Sequence, residues 1–291
     1  MAIELWSQTF VNGINIGALY ALTAVGLSLT FGVMKILNVG HGEFLMLGGY
    51  LAYWLLTLFK VDPFLSLPLV FIALFFLGAI AYKLFFSVLS GYPEEQKVKN
   101  SLLVGFGLFL VIPQIARLLW TGDERGITPA YSGSSFPLLD VRIAYVPLGG
   151  VILAVIVIAA LHLFLKKTYF GKAVRATSEN WKGAKLTGIN VDRTYLITFS
   201  LGTAIAGLGG VMVGLTQSIS PDVGMEWTLK ALIVLVLAGI GSIGGTLAAG
   251  LTLGILESVG AIFMGPYAVV LGLVIFLLIL MFRPQGLFGK A

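Results

Sequence analysis

Apolar runs of about twenty residues recur along the whole 291-residue chain, and they settle its fold class before any motif is read. A helix needs about 20 apolar residues to cross a hydrocarbon core of ~30 Å. Runs of that kind lie at 10–31, 42–59, 64–89, 101–119, 147–165 and 195–217, and a final one lies at 267–282. Between the last two, an apolar stretch at 229–263 is broken by Gly241-Ser242-Ile243-Gly244-Gly245. Its first part, 229–240, is about 18 Å long as a helix and too short to cross alone. Irregular backbone at membrane depth is tolerated only inside protein or beside a water-filled cavity. The pattern therefore predicts a hairpin: a short helix in, a glycine turn buried within the protein, and a longer helix back through 248–263. Charged residues make up 11% of the chain, against about 25% in soluble domains, so the polar groups cannot cover a water-exposed surface. The expected fold is an all-α polytopic membrane protein. It is a single transmembrane domain over 1–291, with eight or nine transmembrane helices including broken or re-entrant segments.

The longest polar interruption runs from 166 to 194. It carries seven of the 18 Lys and Arg residues: Lys166, Lys167, Lys172, Arg175, Lys182, Lys185 and Arg193. Cytoplasmic loops carry an excess of Lys and Arg. With this loop inside, Lys35, Lys83, Lys97, Lys99, Arg283 and Lys290 fall on the same side, making thirteen. Lys60, Arg117, Arg125, Arg142 and Lys230, five in all, fall outside. The N-terminus is then external and the C-terminus cytoplasmic, provided 229–263 crosses an even number of times. A second polar loop at 121–145, with Asp123, Glu124, Arg125, Asp140 and Arg142, lies on the outer face. The first apolar run lacks the charged n-region and cleavage site of a signal peptide. Absence of cysteine removes disulfides and thiolate metal sites.

Within the basic loop, Ser178 is of the type that caps a helix start, and Gly188 stands where a helix stops. The expectation is one short helix at 179–187, with Asp192 capping the next span. Two readings of it stand from physics alone. It is a positive-inside anchor for lipid headgroups, or it is a docking helix for a cytoplasmic partner. Its length and its mixture of Ala173, Val174, Ala176, Trp181, Ala184 and Leu186 with charge favour docking.

No enzyme constellation is present. His41 and His162 lie in different spans, and Gly171-Lys172 lacks the rest of a phosphate-binding loop. The polar stretch Asn38-Val39-Gly40-His41-Gly42-Glu43 reads as an inner loop or as a re-entrant segment near a pathway. Glu257 lies well inside a span, where a carboxylate is paired or functional. Lys230 and Glu257 stand equally far from the centre of the glycine turn, so a symmetric hairpin brings them to one depth and predicts an ion pair. Asn12, Asn15, Gln217 and Ser218 are neutral polar groups at membrane depth, suited to cross-helix bonds or to facing a central path. Small residues recur at helix-packing spacing at Gly210/Gly214 and Gly250/Gly254, with Gly202 and Ala206 nearby.

Three motifs together resemble one family. G-L-S-L-T-F-G-V-M-K-I-L-N-V-G-H-G-E-F (26–44), R-A-T-S-E-N-W-K-G-A-K-L-T-G-I-N (175–190) and L-A-G-I-G-S-I-G-G-T-L-A-A-G (237–250) are similar to the permeases of branched-chain amino acid ABC importers, in particular the shorter of their two permease subunits. The likeness runs on to R-P-Q-G-L-F-G (283–289) and covers essentially the whole chain. It implies a bacterial inner-membrane transport subunit without cofactor or enzymatic activity of its own. It also implies a homologous second permease, two cytoplasmic ATPase subunits and a periplasmic substrate-binding protein. The fold implied is like that of the vitamin B12 and ribose importers. Arg175, Ser178, Glu179, Trp181, Lys182, Ala184 and Gly188 would then belong to a loop that couples to the ATPase. Asn12, Asn15, Asn38, His41, Glu43, Gln217, Lys230 and Glu257 would be pathway or structural polar residues. Relatives of this type also carry urea or short amides, and a stand-alone channel or secondary transporter is a further alternative. The shortage of intramembrane ionisable groups argues against the latter.

Overall fold

The computed structural model describes residues 2–138, 141–239, 241–283 and 286–287; Asp140, Lys290 and parts of the motifs at 237–250 and 283–289 lie outside them. In chain order come α1 (Ala2–Met34), α2 (His41–Phe59), α3 (Pro63–Ala81) and α4 (Glu94–Trp120). The short strands β1 (Arg125–Gly126), β2 (Ser135–Leu138) and β3 (Val141–Ala144) follow, then α5 (Tyr145–Lys167), α6 (Tyr169–Glu179) and α7 (Trp181–Leu186). The chain ends with α8 (Val191–Thr216), β4 (Ser218–Ile219), α9 (Val223–Ala238), α10 (Ile243–Met264) and α11 (Ala268–Phe282). β2 pairs with β3 and β1 with β4, both antiparallel, in small caps between helices.

Seven helical stretches among the described residues are long and apolar enough to cross a membrane. One of them, Ile243–Phe282, is two helices. A 3-10 turn at Gly265–Tyr267 separates α10 from α11, and Gly265 takes the left-handed φ of +53° that admits the reversal. α11 then folds back, placing Gly272 against Leu253 and Glu257, and Gly260 against Leu271. α9 has 16 residues, about 24 Å, and is reached through the extended segment 217–222. Among the described residues, α1–α5 and α8–α11 thus give nine helices in the bundle.

Contacts sort the two ends of this bundle. Gly32 in the last turn of α1 lies against Gly241, and the Leu287 amide donates to the Leu237 carbonyl at 2.8 Å. The end of α1, the α9–α10 turn and the residues after α11 therefore share one end, and α6 packs on α1 there. We call it the basic end. The start of α1 lies at the other, where Gln8 and the Arg142 backbone exchange hydrogen bonds of 3.0 and 3.1 Å. The hairpin differs from the sequence expectation in one respect. Its turn is not buried: Gly241 and Gly244 are exposed at the basic end. The reason is that α9 starts at Val223 rather than at 229, so the descending arm is long enough to reach that end.

The centre of the bundle is made by α1 and α8. In each, 83% of the apolar window is buried, against 22% in α4 and 28% in α5, whose remaining surface suits lipid. Glycines let these helices meet backbone to backbone. A Cβ on Gly17 would lie 2.7 Å from the Gly250 carbonyl oxygen, and one on Gly250 would lie 2.7 Å from the Ala21 amide nitrogen. The Gly250/Gly254 pair thus docks on Gly13/Gly17 of α1, a partner stripe with the same spacing.

After α1 the chain turns back into the protein. The His41 Nε2–H donates to the Thr23 carbonyl at 3.0 Å, about 16 Å back from the end of α1. Asn38–Glu43 is therefore the re-entrant segment, not a surface loop. Its irregular backbone is sheltered by α4: the Leu37 amide donates to Ser101 Oγ at 2.9 Å, and Gly40 lies against Gly105 and Leu108. Asn38 Oδ1 accepts from the Gly40 amide at 3.1 Å and completes the turn.

Candidate functional site

At the basic end two helices form where one was expected. α6 fills 169–179, and the chain breaks at Asn180 (φ −152°, ψ 93°) before α7 begins. Ser178 is consequently not a cap. It sits in the last turn of α6 and donates to the Arg175 carbonyl at 2.7 Å. The cap of α7 is Asn180, whose Oδ1 accepts from the Gly183 amide at 2.9 Å. Likewise Asn190, not Asp192, caps α8, accepting from the Arg193 amide at 2.9 Å, while Asp192 occupies the first turn. Gly188 does stop α7. It adopts φ +86°, and the Ile189 amide reaches the Ala184 carbonyl at 3.1 Å.

α6 buries Gly171, Val174 and Thr177 against the bundle and turns Lys172, Arg175 and Glu179 outward. In α7, Ala184 faces inward and Lys182 and Lys185 outward. Tyr169 and Leu186, 87% and 89% exposed, leave two large apolar side chains standing free beside these charges. A groove of about 370 Å³ opens between Pro93–Glu94 at the start of α4 and Glu179–Lys182. Under it lies Lys97, 1% exposed. Its Nζ sits 4.7 Å from the Trp181 ring centroid and 5.0 Å from that of Tyr195, and donates to Tyr195 Oη at 3.3 Å. A buried cation is costly unless its donors and charge are met, and two aromatic faces with one hydroxyl offset part of that cost here. Lys97 thereby ties α7 to α4 and α8.

A second polar cluster lies in the interior. Lys230 Nζ pairs with Glu257 Oε1, and the side chains are 5% and 9% exposed. This is the pair the hairpin symmetry predicts. Tyr20 of α1 completes it, donating to Glu257 Oε2 at 2.7 Å with its ring 5.1 Å from Lys230 Nζ. Nearby, the Gly42 amide donates to Thr228 Oγ1 at 2.8 Å, so α2 and α9 begin side by side. Glu43 is packed against Gly224 of α9. Arg117 of α4 pairs with Asp222, just before α9.

The model for branched-chain amino acid transport system permease components matches residues 9–282. The chain belongs to this family. It is 31% identical over 298 residues to the high-affinity branched-chain amino acid transport system permease protein BraD of Pseudomonas aeruginosa, covering 97% of this chain and 95% of that protein. It is 28% identical over 294 residues to the corresponding LivH of Escherichia coli K12, again covering 97% and 95%. A probable LivH of Methanocaldococcus jannaschii is 30% identical over 284 residues, with 93% and 89% covered. No solved structure matches the chain.

For a permease of this family, the geometry brings together some of the residues singled out from sequence and separates others. Lys230 and Glu257 meet, and His41 and Glu43 share the start of α2. Asn12 is exposed and accepts from Gln8 Nε2 at 3.2 Å, Asn15 is half-buried, and Gln217 is the exposed residue that ends α8. Those three do not join the interior cluster. Sequence reasoning missed Tyr20, Lys97, Arg117, Asn180 and Asp222. Of these, Asn180 alone carried a usable signal: an Asn three residues before Gly183 fits the cap position as well as Ser178 does.

Proposed function

We propose that this permease is the membrane-spanning subunit of an ATP-driven importer of branched-chain amino acids, with its basic end in the cytoplasm and its N-terminus outside. ATP hydrolysis belongs to partner subunits that dock on α6 and α7, a second homologous permease completes the path, and a binding protein delivers substrate to the opposite face. The relatives' transport of branched-chain amino acids supports the cargo. The observation that carries the docking assignment is the face formed by α6 and α7. Arg175, Glu179, Lys182 and Lys185 point outward there, with Tyr169 and Leu186 as free apolar anchors. Exposed aromatic and charged groups around a groove are what a partner surface uses, whereas a lipid anchor needs no groove. Through Trp181 and Lys97, movement of α7 reaches α4 and α8 directly, so closure of an ATPase dimer would be passed to the helices around the path.

The experiment is uptake of leucine, isoleucine and valine into vesicles holding the complete complex, with urea as the comparison. Replacing Arg175 and Glu179 together by alanine is expected to lower both ATP-driven uptake and the stimulation of ATP hydrolysis by about tenfold, the loss of two charged interface contacts. Survival of both activities would refute the docking assignment. Uptake of urea in place of the amino acids would refute the cargo.

A further inference from the structure

α9 turns outward a face that a helix within a membrane cannot offer to lipid. Asp222, Met225, Glu226 and Leu229 are exposed along its start. Trp227, next to Glu226, packs on Tyr20 in the middle of α1 with ring centroids 5.6 Å apart. Carboxylates at such depth face water or protein, because charge in hydrocarbon is costly. Behind this face stands Glu43. It is 0% exposed, and neither carboxylate oxygen has a hydrogen-bond partner. Its head fills the space beside Gly224, where any Cβ would overlap it. Other buried charges of the described residues have partners: Lys230 has Glu257, and Lys97 has the Tyr195 hydroxyl and the Trp181 ring, while Arg117 and Asp222 pair at the surface. The first turns of α2 and α9 meet at Glu43, and their N-terminal dipoles favour an anion there. They leave its lone pairs unfilled, and a buried acceptor without a donor in the protein is one that a water, an ion or a ligand can satisfy.

We propose that Glu43, reached past the Glu226 face of α9, is a binding station for the primary ammonium group of the amino acid in transit. An ammonium carries three donors and a positive charge, which two free carboxylate oxygens accept in short charge-assisted bonds. Gly224 leaves the room for the carboxylate to meet it. The cargo named here rests on the amino-acid reading above; the cation site rests on the geometry alone.

The chain has no cysteine, so with partner subunits freed of theirs one introduced thiol reports without interference. In the complete complex in vesicles, Met225→Cys is reacted with an ammonium-bearing and a sulfonate-bearing methanethiosulfonate of similar size. The cationic reagent is expected to react about tenfold faster, within the range by which a charged cleft concentrates counter-ions. Adding Glu43→Gln should bring the ratio towards one, whereas Glu43→Asp should keep it. Glu43→Gln alone should lower leucine uptake by about tenfold, while the loaded binding protein still stimulates ATP hydrolysis. A thiol that neither reagent reaches, as when a partner helix covers this face, overturns the station. So does a ratio that Glu43→Gln leaves unchanged, or one that Glu43→Asp abolishes as fully as Glu43→Gln. Failure of the amino-acid reading looks different. The unsubstituted complex would import no leucine, isoleucine or valine, which removes the ammonium cargo and the proposal as stated, while the charge ratio at the introduced thiol would persist.

Discussion

Removing one half of the Lys230–Glu257 pair should cost far more than removing both. The side chains are 5% and 9% exposed, so each charge has lost most of its water. Their attraction at about 4 Å and an effective dielectric of 20 is about 4 kcal/mol. Desolvation costs several kcal/mol per ion, so the intact pair nearly balances. Glu257→Leu leaves Lys230 charged beside the Tyr20 ring with no carboxylate, and Lys230→Met leaves Glu257 with only the Tyr20 hydroxyl. Each single change is expected to destabilise by about 3–5 kcal/mol. At about 2–4 °C per kcal/mol, Tm should fall by about 6–20 °C. In the double variant no buried charge remains. The residual cost is the Tyr20 hydroxyl, which loses its acceptor, at about 1–3 kcal/mol, and adding Tyr20→Phe should recover most of that. The assay is thermal unfolding of the purified permease in detergent, followed by tryptophan fluorescence, since Trp227 packs directly on Tyr20. Strict additivity, with the double variant as low as the two single losses combined, would refute the reasoning.

Two further outcomes are expected at the basic end. Lys97→Met should keep the fold, because the stem stays apolar, yet reduce stimulation of ATP hydrolysis by the loaded binding protein; Lys97→Arg, which preserves charge over Trp181 and Tyr195, should restore it, and equal loss in both variants would count against a cation–π tie. Asn180→Ala removes the cap of α7 at about 1 kcal/mol and should weaken binding of the ATPase subunit about fivefold in a titration of the purified components, whereas Asn180→Asp, which keeps the accepting oxygen, should bind as the parent does.

Long-range features were legible where symmetry or hydropathy alone fixes them. The apolar runs place the spans, and the glycine turn places Lys230 opposite Glu257 because a hairpin has a single mirror point. Local features were legible where one residue type dominates, as Gly188 does at the end of α7. The helix α6 escaped because its inward face is Gly171, Val174 and Thr177, which has helical spacing but only one strongly apolar member. Without it, Ser178 has the look of a helix start and not of a helix end. The start of α9 escaped for a related reason. Glu226 and the preceding Asp222 read as loop, and only packing of Trp227 on Tyr20 and of Gly224 beside Glu43 carries helix into that stretch.

Depth is the quantity that sequence does not encode. Asn38–Glu43 has the composition of a surface loop, and nothing in it says that His41 will donate to Thr23. The same blindness affects charge counting. Loop position credits Lys97 to the cytoplasm, but it is buried between Trp181 and Tyr195, and credits Lys230 to the outside, but it is bound to Glu257. A cation held inside the protein cannot read the membrane surface, so neither belongs in an orientation count. Setting both aside leaves, among the described residues, eleven Lys and Arg at the basic end and four at the other, a steeper ratio than before. The charges that bear on topology are thus the ones that reach the surface. Four of them, Arg175, Lys182, Lys185 and Lys172, stand outward on α6 and α7. One surface would then both hold the basic end in the cytoplasm and meet the ATPase there, so a charge reversal across it should disturb insertion and coupling together, whereas Arg175 and Glu179 changed as a neutral pair should disturb coupling alone.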